Sequence, residues 1–197
     1  EIRLFYFIIR GVIIMNKTKK ITLSGIFIAI GILLPMVFHF AGSEAGKVFL
    51  PMHIPVLLSG FVLGPAYGLG VGVITPLLSS ILTGMPPLVT PVPMAVIMIF
   101  ELGAYGMVSG LLNKKFKLNM ICSLLGSMLA GRIAAGIVVA VILYVFGFKN
   151  LGNPVIYVWG GIITGLPGIV IQLIVVPAFL TLLKKSRVMQ EGSSVDT

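Results

Sequence analysis

The chain has very little of what a soluble enzyme uses. Only 10% of its 197 residues are charged, against roughly 25% in an average soluble domain. It contains two histidines, one aspartate (Asp196) and one cysteine, Cys122. A single cysteine excludes an intrachain disulfide, and so few ligating side chains predict no metal site and no catalytic triad. The phosphate-binding motif G-x-x-x-x-G-K-[ST] is also absent. We therefore expect no enzyme activity, no cofactor and no ATP site in this chain.

What the chain does have is apolar side chains, which make up 58% of it, and its mean hydropathy is +1.15. A soluble fold of this size cannot hide so many apolar side chains from water. We therefore predict an all-α integral membrane protein, because a helix of about 20 apolar residues crosses the roughly 30 Å hydrocarbon core. Six spans are expected: 21–38, the two halves of 48–82 on either side of the GPAYG turn at 64–68, 92–112, 118–148 and 155–183.

The net charge of +9 indicates topology and not nucleic-acid binding. Most of the 14 lysines and arginines precede the first predicted span, follow the fourth or follow the sixth. Six crossings place all three groups on one side, which the positive-inside rule assigns to the cytoplasm together with both termini. We expect residues 17–185 to form a membrane domain in the cell membrane and 186–197 to be a disordered cytoplasmic tail. We interpret residues 1–16 as an N-terminal extension, with Met15 as an alternative natural start.

Small residues recur every fourth position within several spans. The pattern includes Gly60, Gly64, Gly68 and Gly72, and it returns as Gly106/Gly110 and Gly161/Gly165. Such spacing lets helix backbones approach closely in lipid, so it predicts helix packing inside the protein. The same spacing occurs in Gly25 and Ala29 on the first span. There, a docking face for a partner membrane protein is the alternative interpretation.

Two charged residues, Glu101 and Arg132, lie deep within the predicted spans. At about 1.5 Å per residue, they and Gln172 lie roughly 17–21 Å from the predicted cytoplasmic ends of their helices. A lone charge at the bilayer centre costs at least about 2.5–3.5 kcal/mol, so each must face a partner or a wet cavity. Two interpretations are compatible: a structural ion pair between the two helices, or a site where Arg132 and Glu101 bind a ligand.

The predicted outer loops supply further candidate residues. The segment HFAGSEAGKVFLPMH (39–53) is a candidate lid and ends at His53, and the proline-rich segment 83–93 suits a rigid rim. The third loop contains Asn153, Tyr157 and Trp159. The two aromatic residues fit either an interfacial aromatic belt or a stacking surface for a bound ring.

One long run of this sequence resembles a known family. The run MHIPVLLSGFVLGPAYGLGVGVITPLLSSILTG contains H-I-P-V-L at 53–57 and G-P-x-x-G at 64–68. With six predicted spans and a cytoplasmic N-terminus, it resembles the substrate-binding (S) components of energy-coupling factor (ECF) transporters, the vitamin-uptake systems of prokaryotes. The resemblance covers roughly 17–185. Gly25 and Ala29 resemble the A-x-x-x-A element with which that family docks its transmembrane (T) subunit, although the first position here is glycine.

The resemblance implies a fold, a function and partners. An S component is a membrane bundle that binds one vitamin in an outward-facing cavity, with the first outer loop closing over it. A T subunit and two ATPases then drive release into the cell. By position, the resemblance places substrate-binding residues within the bundle and at its mouth: Glu101, Tyr105, Arg132, Gln172, Asn153, Tyr157 and Trp159. His53 is a further candidate, with an interfacial structural role as the alternative interpretation.

The vitamin itself stays open. Arg132 favours a ligand with an acceptor or negative group, such as pantothenate, niacin, lipoate, biotin or folate. If Glu101 already neutralises Arg132, a neutral ligand fits equally well. Two other functions also stay open: a stand-alone secondary transporter driven by a proton on Glu101, and a non-transport membrane assembly protein.

Overall fold

The computed structural model describes residues 16–40, 48–88, 93–147 and 152–193, and all regular structure in these ranges is helical. Seven α-helices of at least 11 residues follow one another, and a π-helical turn, Leu111–Lys115, continues the fourth. The helices are α1 (Lys17–Phe40), α2 (His53–Leu63), α3 (Pro65–Thr83), α4 (Met94–Gly110), α5 (Met120–Tyr144), α6 (Pro154–Thr164) and α7 (Leu166–Ser193).

Five of these helices, α1, α3, α4, α5 and α7, are long and apolar enough to cross a membrane. The short apolar helices α2 and α6 have 11 residues each, or about 16 Å at 1.5 Å per residue. That is about half of the hydrocarbon thickness. The prediction of an all-helical fold with several apolar helices of membrane-spanning length is therefore confirmed for the described residues. Two of the six predicted spans differ from continuous helices. The second contains only the half-length helix α2, and the sixth is divided into α6 and α7 at Gly165.

Proline explains both interruptions. Pro167 has no backbone N–H to donate to the carbonyl of Ile163, which removes one helical hydrogen bond at the point where α6 ends and α7 begins. The last helical bond before the break runs from the N–H of Gly165 to the carbonyl of Gly161. In the second predicted span, Leu50 has a left-handed backbone with φ 49°, and Pro51 follows it. Helix α2 therefore begins only at His53.

Two contacts between helix ends show how the chain runs through the bundle. The ammonium of Lys20, near the start of α1, lies 5.5 Å from the ring centroid of Tyr67 at the start of α3. The Nζ of Lys114, after α4, donates a hydrogen bond of 2.6 Å to the carbonyl of Val62 at the end of α2. The start of α1, the α2–α3 junction and the end of α4 therefore lie at one end of the bundle, which we call the basic end.

The glycine-rich segments pack α3 against α4 with direct backbone contact. A Cβ on Gly68 would overlap the carbonyl of Gly106, and a Cβ on Gly106 would overlap that of Gly68. Gly72 faces the backbone of Leu102 in the same way, and a Cβ on Gly60 would meet Gly106 from α2. These contacts confirm the packing interpretation at these positions, because only residues without a side chain allow such approach.

Two clusters of buried apolar side chains meet along α4. The larger involves α2, α3, α4, α5 and α7 and includes Leu102 and Tyr105. The smaller is built from Ile97 on α4 with Ala135, Val139 and Ile142 on α5, and Tyr157 packs against it. Residue 101 lies between these two clusters in the sequence of α4, so its carboxylate is held inside the bundle.

Helix α7 extends to Ser193, into the segment 186–197 for which the sequence predicts disorder. Residues 194–197 lie outside the described residues, as does the predicted extension up to residue 15. Most of the predicted lid is also outside them, since only 39–40 and 48–53 of that segment are described.

Candidate functional site

Three polar side chains from three helices meet in the middle of the bundle. Arg132 on α5 places its Nη1 3.0 Å from Oε1 of Glu101 on α4. Nε2 of His53, the first residue of α2, lies 3.9 Å from the same oxygen. The side chains of His53 and Glu101 are 3% and 6% exposed, and that of Arg132 is 11% exposed. We call His53, Glu101 and Arg132 the central polar cluster.

Local sequence explains why these side chains converge. Glu101 and Tyr105 are four residues apart, so both point from the same face of α4. The ring of Tyr105 packs edge-on against the ring of His53 with a centroid distance of 5.1 Å. On α5, a Cβ on Gly131 would lie 2.5 Å from the Tyr105 ring. Glycine beside Arg132 therefore lets α5 approach α4 closely enough for the ion pair.

Several polar atoms of the central polar cluster have no hydrogen-bond partner among the residues that the structure describes. They are both ring nitrogens of His53, Oε1 of Glu101, and Nε and Nη2 of Arg132. The close approach of Arg132 to Glu101 is thus an ion pair without hydrogen-bond alignment. Leaving one buried polar atom unsatisfied costs about 1–3 kcal/mol. Five in one place therefore indicate a site built to receive a polar group or ordered water.

The break between α6 and α7 lies beside the guanidinium group of Arg132. A Cβ on Gly161 would lie 3.0 Å from Nη1, and a Cβ on Gly165 would lie 3.4 Å from Nη2. The segment before α2 reaches the same place, since a Cβ on Gly165 would be 2.9 Å from Cδ1 of Leu50. Two helix interruptions thus converge on the cluster. At membrane depth, irregular backbone is tolerated where it is buried in protein or lines a cavity.

The structure brings four of the eight predicted substrate-binding residues together: His53, Glu101, Tyr105 and Arg132. Gln172 is 1% exposed on α7, and its amide nitrogen has no partner among the described residues. Among the described residues, no hydrogen bond or ion pair joins Gln172 to the central polar cluster.

The three residues predicted for the mouth of the cavity make contacts of other kinds in this structure, or are exposed. The side-chain oxygen of Asn153 accepts a hydrogen bond from the N–H of Val155 and caps the start of α6. The hydroxyl of Tyr157 lies 3.1 Å from the sulfur of Met94, to which it donates. Trp159 is 61% exposed, as an aromatic-belt residue would be.

Sequence reasoning did not assign Gly161 and Gly165 to the site. Their spacing was interpreted as helix packing, whereas the structure places both next to the guanidinium of Arg132. The signal that could have found them is Pro167, because a proline two residues after Gly165 predicts a broken helix at membrane depth. Such breaks line binding sites in many transporters.

A comparison with protein families decides what kind of protein this is. The sequence model described as "ECF transporter, substrate-specific component" matches residues 19–180, well over half of the chain. The chain belongs to this family. No curated protein matches the chain, and no solved structure does. The resemblance noted in the sequence is therefore confirmed. As an ECF substrate-specific component, the chain is a transporter subunit, which favours transport over a role in membrane assembly.

Proposed function

We propose that this ECF component captures a small water-soluble vitamin, or a vitamin precursor, outside the cell membrane of a prokaryote. A T subunit and two ATPases then drive its delivery into the cell. The observation that supports the proposal most strongly is the central polar cluster. An apolar bundle contains three ionisable side chains with unpartnered buried atoms, and such side chains in a membrane mark a functional site by default.

The proposed topology has six crossings, counted along the path of the chain and not by continuous helices. The basic end of the bundle carries Lys20 and Lys114, so the positive-inside rule assigns it to the cytoplasm. Helix α2 ends there beside Lys114. The chain therefore returns to the cytoplasmic side between α1 and α3, with residues 48–52 and the half-length α2 completing that crossing. This arrangement places both termini in the cytoplasm.

The substrate site we propose is centred on His53, Glu101, Tyr105 and Arg132. Gln172 extends the site along α7, since its buried amide nitrogen lacks a partner among the described residues. Asn153, Tyr157 and Trp159 belong to the outer mouth in this proposal. Their present contacts favour a structural role there for Asn153 and Tyr157.

The docking face for the T subunit is the exposed side of α1. No atom lies within 4 Å of a Cβ on Gly25, and Ala29 is exposed on the same helix. Only 6% of the most apolar window of this helix is buried inside the protein. A small-residue face with no neighbour among the described residues is suited to close packing against another membrane helix.

Mass spectrometry tests the substrate proposal. The protein is purified from cells grown in rich medium and denatured, and small molecules released from it are identified. We expect one vitamin-like molecule in near-stoichiometric amount. A thermal-shift screen with a vitamin panel is the second measurement, since a ligand at about 100 times its dissociation constant stabilises by about 2.7 kcal/mol. Blank results in both would reject the proposal.

Uptake measurements test the docking proposal. Gly25→Leu combined with Ala29→Leu should leave ligand binding unchanged and abolish uptake in cells that contain the coupling subunits. Gly160→Leu is the matched control, because a Cβ on Gly160 also has no atom within 4 Å but lies on α6. Normal uptake by the α1 double variant would show that this face does not dock the T subunit.

A further inference from the structure

The guanidinium group of Arg132 has one edge that Glu101 leaves free for a ligand. Glu101 approaches one nitrogen, Nη1, at 3.0 Å. The other two, Nε and Nη2, are buried and have no partner among the described residues. In an arginine side chain these two nitrogens lie on the same edge of the planar group, and their N–H bonds point in parallel. The free edge is therefore a two-donor fork inside the bundle.

From this geometry we infer that the substrate carries a carboxylate, which binds side-on to Nε and Nη2 of Arg132. This inference rests on the proposed function and names the class of substrate for the same site. A carboxylate matches the fork with two parallel N–H···O bonds. A primary amide or an alcohol cannot do so, because it presents only one acceptor oxygen in this geometry and, for the amide, turns an NH₂ donor toward an N–H donor.

The donors of the cluster favour the same class. Arg132 and His53 both lie within 4 Å of a single carboxylate, that of Glu101. Glu101 approaches only Nη1 of Arg132, so Nε and Nη2 are left for a second acceptor. Among the residues whose side chains the structure describes, Glu101 is the only acidic one at the cluster. A carboxylate of the substrate would supply the second acceptor there.

The backbone leaves room beside this edge. Gly165 borders Nη2, and a Cβ there would lie 3.4 Å from that nitrogen. Any larger side chain at this position would project toward the fork. Glycine at the break between α6 and α7 therefore keeps the two-donor fork of Arg132 accessible from that side.

Matched pairs of small molecules test the inference on the full-length protein in lipid nanodiscs. The probes are nicotinate and nicotinamide, pantothenate and pantothenol, biotin and biotinamide, and lipoate and lipoamide, with folate as a further carboxylate. Riboflavin, thiamine and pyridoxine form a set without a carboxylate. We expect one carboxylate to bind, and its uncharged partner to bind roughly 10- to 100-fold more weakly, as expected for loss of a hydrogen-bonded charged group.

Arg132→Lys tests whether carboxylate binding depends on the two-donor fork or only on the positive charge. Lysine keeps a positive charge for Glu101 but is a point charge without the planar fork. We expect this variant to melt like the parent protein without probe, and to bind the carboxylate at least 10-fold more weakly. If it fails to fold, Glu101→Gln with Arg132→Gln replaces it, since that pair removes both charges together. It should fold and lose the preference for the carboxylate.

Three results would overturn the inference. Equal binding of a carboxylate and its uncharged partner would do so, as would unchanged carboxylate binding by Arg132→Lys. Preferential binding of riboflavin, thiamine or pyridoxine would also reject the carboxylate while leaving the proposed function in place. Absence of binding by both sets, with no co-purified molecule, would reject the proposed function and this inference with it.

Discussion

The ion pair between Glu101 and Arg132 gives the sharpest test of how this bundle is held together. Glu101→Gln leaves the charge of Arg132 buried and removes the carboxylate at 3.0 Å from its Nη1. Removing one partner of a buried pair costs about 3–5 kcal/mol. At roughly 2–4 °C per kcal/mol for a chain of this size, the melting temperature should fall by about 6–20 °C.

Arg132→Gln should cost less than Glu101→Gln. The carboxylate of Glu101 still has a polar neighbour, Nε2 of His53, at 3.9 Å. The double variant, with glutamine at both positions, removes both buried charges and leaves two amides of similar size. We expect it to be more stable than Glu101→Gln alone, because no uncompensated charge is left in the bundle.

Thermal unfolding of the four proteins, followed by helical circular dichroism in the same detergent, measures the coupling. Groups in direct contact show interaction free energies of about 0.5–3 kcal/mol in such a cycle. If the losses from the two single variants simply add in the double variant, the two charges do not interact in the folded protein. That result would refute the geometry of the central polar cluster.

Three further predictions concern single positions, two of them with a neighbouring glycine as the control. Gly68→Ala should destabilise the protein by about 1–3 kcal/mol through overpacking against Gly106. Gly70→Ala should not, because its Cβ has no neighbour within 4 Å. Equal melting curves for the two variants would contradict the backbone contact. Gly161→Ala should weaken ligand binding, because its Cβ would lie 3.0 Å from Nη1 of Arg132. Gly160→Ala should not, because a Cβ there meets open space. Equal affinities of the two variants would contradict this placement of Gly161. Asn153→Ala should cost about 1 kcal/mol in thermal unfolding by removing the cap of α6, and an unchanged melting temperature would show that the cap adds no stability.

Sequence reasoning located the charged residues of the site but not their arrangement. Burial of Glu101 and Arg132 followed from hydropathy, because a charge within an apolar span must face inward or meet a partner. The distances that make one edge of the guanidinium free depend on the approach of α5 to α4. That approach is set by Gly131 against the ring of Tyr105, a contact between residues 26 positions apart in the sequence. Local patterns carry no information about such a contact.

The number of helices also could not be predicted from local sequence patterns. Periodicity and length predicted apolar segments correctly, but a segment of enough apolar residues was interpreted as one helix. Pro51 and Pro167 interrupt two of them. A proline can kink a helix or end it, and the choice depends on what else can bind the freed backbone groups. In this structure α6 ends and α7 begins at Gly165, whereas Pro35, Pro76 and Pro177 lie inside continuous helices. The sequence alone does not decide between these outcomes.

The amino-acid sequence by itself determined the class of protein and its family, and it predicted that basic residues gather at one end of the bundle. These follow from composition and from the order of apolar segments, and both are properties of the chain before it folds. Only the tertiary structure decided that His53, Glu101 and Arg132 meet, that Trp159 is exposed, and that two nitrogens of Arg132 are left without hydrogen-bond partners among the described residues. The reason is physical: hydropathy specifies how deep a residue lies in the membrane, whereas helix rotation and the close approach of backbones at glycine specify what it touches.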